Sequence, residues 1–165
     1  MTLPVAGATA SVMQDPLRTR CPDAAGAYVL AVSLQAPLAI RLGGSALARL
    51  PAGRYLYCGS AYGPGGLRAR LSRHFRTDKT IRWHIDQLTT QGVVLGAWAL
   101  AGGDECDCVS RLGFLSVPID GFGASDCTQC RSHLLRWPRR VTRKRLFSAL
   151  SEADAAPLWL PAVGS

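Results

Sequence analysis

The sequence predicts an α+β fold: a small, mostly antiparallel β-sheet flanked by helices. Three observations carry this. Short runs rich in strand-favouring residues, such as GAYVLAVSL (Gly26 to Leu34) and VVLGAWAL (Val93 to Leu100), are bounded by turn residues. Segments with a helical period, LRARLSRHF (67–75) and IRWHIDQL (81–88), fall between them. The chain has 165 residues, 48% of them hydrophobic, which suits one core with tails.

Taken in order, residues 1–24 mix small residues with prolines, show no period, and read as a loose leader. Gly26 to Leu34 is the first strand, and Pro37 breaks it. LAIRL (Leu38 to Leu42) is the second, ended by Gly43 and Gly44, with Leu47 to Gly53 as a short connection. RYLYCGS (Arg54 to Ser60) is the third, so a hairpin or meander is expected. The bend Gly63-Pro64-Gly65-Gly66 leads into the helix from Leu67. IRWHIDQL forms a second helix, with Ile81, His84 or Ile85, and Leu88 on one face. The apolar run from Val93 reads as a buried central strand. Asp104 to Leu115 starts with acids after glycines, as helices do. Gly121 to His133 is a loop, and HLLRWP a last edge strand ended by Pro138. The main domain therefore spans 25–138. Residues 139–165 form a basic tail, partly helical around Val141 to Leu150.

Nineteen basic against 11 acidic residues give a net charge of +8, which points to an anionic partner. Nine basic residues lie between Arg41 and Arg82 with Asp78 as the one acid, and six lie between Arg136 and Arg145 with none. No apolar run approaches the roughly 20 residues needed to span a bilayer. The start, MTLPVAGATASVMQ, lacks the basic and apolar blocks of a secretory signal, so a cytoplasmic location and no membrane partner are expected. The glycine bend at 63–66 is followed by Leu67 and Arg68, without the lysine and hydroxyl of an NTPase phosphate loop, and GxGxxG is missing; no nucleotide cofactor is expected.

Helical residues advance by about 100° each, so Leu67, Leu71 and Phe75 form a buried stripe. Arg70 and His74 stack four apart on its flank, at the edge between core and solvent. Arg73 and Arg76 point further out, and Arg68 flanks the other edge. On the helix after Asp104, Glu105 shares a face with Cys108, Val109 and Leu112, which sets a carboxylate at the end of an apolar stripe. Four of the six cysteines fall within 25 residues. Cys106 and Cys108, two apart on a helix, diverge by about 160° and do not grip one ion together. Cys106, Cys127, Cys130 and His133 are the better set for a structural zinc ion; otherwise the cysteines are small buried hydrophobes.

Several of these stretches together resemble the GIY-YIG nuclease superfamily, in particular its Uri-type branch of small stand-alone endonucleases. They are Gly26-Ala27-Tyr28, Tyr57-Cys58-Gly59 with Ser60 and Ala61, Arg70 with His74, and Asp104-Glu105-Cys106. WHID (83–86) and GFGASDC (121–127) fit the Uri-type branch. The likeness covers roughly residues 26–137. It departs in Ala27 and Cys58, where relatives carry isoleucine. It also departs in having no asparagine anywhere, where many relatives carry one late in the domain. The resemblance implies a metal-dependent endonuclease that hydrolyses phosphodiester bonds in DNA, RNA not excluded, with Tyr28, Tyr57, Arg70, His74 and Glu105 as catalytic residues. Glu105 would hold Mg²⁺ or Mn²⁺, Arg70 would brace the phosphate, and either Tyr57 or His74 would serve as base. Arg68, Arg73, Arg76 and Lys79 are the candidate nucleic-acid contacts. The competing readings are a non-catalytic nucleic-acid-binding module and a zinc-stabilised interaction protein.

Overall fold

The structure, a computed structural model, describes residues 16–153 and 155–162. In chain order it contains α1 (Pro16–Arg20), β1 (Gly26–Leu34), β2 (Leu38–Gly43), β3 (Ala46–Leu50), β4 (Gly53–Ser60) and α2 (Gly66–Phe75). There follow α3 (His84–Gln91), β5 (Val93–Ala101), α4 (Glu105–Arg111), β6 (Leu134–Trp137), α5 (Arg143–Leu150) and β7 (Leu158–Pro161). The fold is α+β, as expected. Five strands form one antiparallel sheet in the order β6-β4-β1-β5-β7, and β2 and β3 form a separate hairpin.

β1 lies at the centre, buried on both faces, and its side chains alternate. Tyr28, Leu30, Val32 and Leu34 point to one core, shared with Leu67 and Leu71 of α2 and Ile85 and Leu88 of α3. Ala27, Val29 and Ala31 point to the other, shared with Cys108 and Leu112 at α4 and Leu146 and Leu150 of α5. The small residues on this second face leave room for the indoles of Trp98 and Trp137, whose ring centres lie 6.3 Å apart.

Four expectations are corrected. Leu47 to Gly53 is not a bare connection: Ala46–Leu50 is a strand pairing with β2, and no β1-β2 ladder forms. The hairpin instead folds over α3, where Gln87 bridges both the N–H and the carbonyl of Arg41 at 2.8 and 2.9 Å. The leader is not loose where it is described. α1 packs Leu17 and the following Cys21 into the main core, while residues 1–15 lie outside the described residues. The segment after Pro138 is not a separate tail. α5 buries Leu146 and Leu150, and β7 adds an edge strand beside β5. Finally, α3 starts at His84, and Ile81 is exposed ahead of it. No helix among the described residues is long and apolar enough to cross a membrane.

Candidate active site

The antiparallel register sets Tyr28 opposite Gly59 and Leu30 opposite Tyr57, so the two tyrosines are diagonal neighbours on one face. Their ring centres lie 6.4 Å apart. Gly59 makes this possible: a Cβ there would collide with the Tyr28 ring. Gly123, at φ +67°, does the same for Tyr57, whose ring a Cβ would meet at 2.6 Å. Gly59→Ala is therefore expected to cost about 1–3 kcal/mol through overpacking and to displace the Tyr28 hydroxyl. Denaturant unfolding of the variant checks this, and unchanged stability would contradict it. Burial pushes the Tyr28 phenol well above its ordinary value of 10 and Tyr57 up to about 12, the nearby Arg70 charge offsetting part of the rise in each.

α2 brings His74 beneath Tyr28. The Tyr28 hydroxyl and His74 Nε2 are 2.7 Å apart, and His74 is fully buried. It, rather than the half-buried Phe75, completes the stripe of Leu67 and Leu71. Burial holds His74 down to about 3 from the ordinary 6.5. Lys79, Arg70 and Arg73 add to the depression, and the buried carboxylate of Asp86 opposes it. The ring is thus neutral at pH 7. Between pH 6.5 and 3 the unfolded chain binds a proton that the folded chain refuses, so His74 removes stability as pH falls through this window. His74→Gln is expected to flatten this loss, whose steepest slope is about 1.4 kcal/mol per pH unit. Melting curves of both proteins from pH 7 to 4 measure it.

Asp86, in α3, was not assigned a role by sequence reasoning, yet it organises the ground beneath His74. It is fully buried. Its Oδ2 accepts hydrogen bonds from Arg73 Nη2 at 2.5 Å and from the backbone N–H groups of Arg82 and Trp83 at 2.9 and 3.1 Å. Its Oδ1 lies 3.8 Å from Lys79 Nζ, whose side chain is only 2% exposed. Two of the expected nucleic-acid contacts, Arg73 and Lys79, therefore turn inward and neutralise a buried carboxylate. Arg68 pairs with Asp23 at 3.4 Å and donates to the carbonyl of Cys21. Arg76 is exposed.

Arg70 differs from these. Its guanidinium carbon sits 4.3 Å above the Trp83 ring, and no carboxylate pairs with it among the described residues. A half-buried arginine held by an aromatic face keeps its full charge and its donor fork for an incoming anion.

α4 supplies the opposite charge. Asp104 caps the helix by accepting the N–H of Asp107 at 3.0 Å, which leaves Glu105, the first helical residue, free of capping duty. Glu105 lines the same cleft, of about 810 Å³, as Tyr28, Tyr57 and Arg70. The β2–β3 hairpin contributes Arg41 to the wall, the turn before α3 contributes Arg82 and Trp83, and the loop after Gly121 contributes Ser125 and Asp126. Four of the five expected site residues thus line one cleft. The fifth, His74, does not reach it and touches it only through Tyr28. His84 also lines the cleft: its Nδ1 accepts the N–H of Gly123 at 3.2 Å and its ring packs on Phe122, which anchors the late loop.

Beside Glu105 lies the cysteine cluster. Cys106, Cys127, Cys130 and His133 bring their donor atoms within 4.8 Å of one another, so this Cys₃His group could hold a metal ion such as zinc. Cys106 Sγ is 3.4 Å from Cys127 Sγ and 3.9 Å from His133 Nε2. Tetrahedral ligation at about 2.3 Å would set sulfurs roughly 3.8 Å apart, so little movement is needed. The backbone N–H of Cys130 donates to Cys127 Sγ at 3.2 Å. Amides of Cys130 and Gln129 lower the Cys127 thiol to about 6, which favours the thiolate that metals bind. Cys108 points away into the second core, as its helical offset requires.

Comparison with known proteins gives one finding. A family profile described as "Domain of unknown function DUF123" matches residues 27–155. The chain belongs to that family. The matched span holds Tyr28, Tyr57, Arg70, His74, Asp86, Glu105 and the whole Cys₃His group, and it runs past Pro138 through α5. The search of curated proteins and the search of solved structures returned no match.

Sequence reasoning missed Asp86 and Trp83 as parts of the site. One signal could have found them: in Trp83-His84-Ile85-Asp86 the acid stands three residues after the helix cap, where a carboxylate reaches back to backbone N–H groups.

Proposed function

We propose that the cleft hydrolyses phosphodiester bonds in DNA with the help of Mg²⁺ or Mn²⁺, as an endonuclease of the GIY-YIG type. The observation that carries this is an unpaired, half-buried arginine lining the same cleft as Glu105 and two tyrosines. Arg70 matches the oxygens of one phosphodiester by its planar fork. The cationic side chains of Arg41 and Arg82 extend the attraction along a polyanion. Glu105 suits a hard divalent cation, which keeps several waters and takes one or two carboxylates plus substrate phosphate. Such a cation supplies charge neutralisation at the phosphoryl group and the leaving oxygen.

The two hydroxyls divide the remaining work. Tyr57 stays a neutral phenol near pH 7, its value having risen to about 12, and orients the attacking water. Tyr28 stands between the cleft and His74, so a proton leaving the water reaches the imidazole through the Tyr28 hydroxyl. In this reading His74 is the acceptor behind Tyr28. Tyr57 is not the base.

We further propose a structural zinc ion in Cys106, Cys127, Cys130 and His133. The donor set is closed and soft, whereas Glu105 is open and hard, so the two sites sort different metals. Reduced thiolates of this kind persist in a reducing compartment, which fits a cytoplasmic protein.

The test is incubation of purified protein with labelled single-stranded DNA, duplex DNA and RNA, with Mg²⁺ or Mn²⁺ and with chelator. Metal-dependent internal cuts in DNA are expected. Tight, salt-dependent binding without cleavage would replace this reading with a non-catalytic nucleic-acid module, and cutting confined to RNA would correct the substrate.

A further inference from the structure

Two buried polar atoms beside one another at His74 make no hydrogen bond. His74 Nδ1 and Asp86 Oδ1 are both buried, both without a hydrogen-bond partner, and 3.9 Å apart. The other carboxylate oxygen of Asp86 is saturated by three N–H donors. Lys79 donates to the carbonyls of Arg73 and His74, each at 3.2 Å, and these bonds hold its ammonium beside Oδ1.

A neutral imidazole carries its one proton on either Nδ1 or Nε2. If Nδ1 were bare, its lone pair would face a buried carboxylate oxygen, which is repulsive in a medium of low dielectric. A proton on Nδ1 turns the same approach into attraction. Nε2 then has the free lone pair, and the 2.7 Å bond runs from the Tyr28 hydroxyl to His74 rather than the reverse. We infer that Asp86 is a positioning residue that fixes His74 as the Nδ1–H tautomer and thereby makes Nε2 the acceptor for the Tyr28 proton. This rests on the proposed nuclease reading for its purpose, though not for its wiring.

The proton inventory closes. As water adds to phosphorus through its oxygen, one water proton passes to Tyr28 Oη. Tyr28 passes its own proton to His74 Nε2, and the P–O bond to the leaving oxygen breaks. That oxygen takes up a proton from solvent, and the imidazolium beside Asp86 later returns its proton through Tyr28. The phenol itself never has to ionise; the cost of burial falls instead on the imidazolium, which the Asp86 carboxylate beside it offsets in part.

Asp86→Asn makes the sharpest test because the amide has one preferred orientation. Its carbonyl takes the place of Oδ2 to keep the three N–H donors, so its NH₂ group faces His74 Nδ1. The donor there selects the opposite tautomer, with Nε2–H donating to Tyr28. Two-dimensional ¹⁵N spectra of the imidazoles read this directly, and the chain has only three histidines to assign. Wild-type His74 is expected to show a pyrrole-type Nδ1 and a pyridine-type Nε2, and Asp86→Asn to exchange them. Cleavage is expected to fall about 10²–10⁴-fold in the variant, with DNA affinity unchanged. A wild-type His74 protonated on Nε2 overturns the inference without any variant having to fold. So does an Asp86→Asn protein that keeps the wild-type tautomer and rate. A wild-type protein with the expected spectrum but no cleavage in any metal supports the wiring and counts against the nuclease reading instead.

Discussion

Glu105→Gln is expected to lower metal-dependent cleavage at least about 10³-fold while leaving the melting temperature unchanged within error. The side chain is half-buried at the start of α4, no ion pair claims it among the described residues, and Asp104 performs the capping. The change removes charge without removing packing. Arg70→Lys is expected to lose about 10²-fold, because an ammonium lacks both the phosphate-matching fork and the flat contact with Trp83. Single-turnover cleavage of a labelled oligonucleotide, with circular dichroism as the control for folding, measures both. A Glu105→Gln protein that cuts at the wild-type rate would remove the carboxylate from the chemistry.

Stripping the Cys₃His cluster should have the second large effect. Cys127→Ser combined with Cys130→Ser is expected to abolish bound zinc from a near-unit stoichiometry. The melting temperature is expected to fall by roughly 10 °C, equivalent to about 3 kcal/mol at this chain length. Cleavage should fall with it. Cys106 follows Glu105 in the first turn of α4, and the loop carrying Cys127 also carries Gly123 against the Tyr57 ring. An ion held there would tie Glu105 to Tyr57. Metal analysis of protein purified without added zinc, followed by calorimetry, decides this. An unchanged melting temperature in the double variant would leave the four residues as packing.

Much of this site was legible because its positions are local. Alternation along β1 and β4 sets Tyr28 and Tyr57 on one face, and the four-residue spacing puts Arg70 and His74 on neighbouring positions of one side of α2. The helical arithmetic even points inward for His74, which falls about 20° from Leu67, so its burial could have been read directly. What was not legible depends on distant partners. A charge count sees Arg73 and Lys79 as part of a basic surface, since nothing local says that Asp86, from the next helix, draws both inward. β7 is four residues ending in a proline, too short to signal a strand, and it exists because β5 offers it an open edge. The β2–β3 hairpin looked like part of a meander because the anchor on Gln87 lies 46 residues away from Arg41. The cysteine set was legible through the helical divergence of Cys106 and Cys108, one of which the second core takes.

The central claim concerns where a hard cation and a phosphodiester meet. Crystals grown with Mn²⁺ and an uncleavable phosphorothioate oligonucleotide test it most directly, through anomalous scattering. A manganese peak about 2.0–2.2 Å from the Glu105 carboxylate is expected, bridging to a phosphate oxygen that Arg70 also contacts, with Tyr28 and Tyr57 facing the phosphorus. A phosphate bound elsewhere on the basic surface, with no manganese at Glu105, would contradict it.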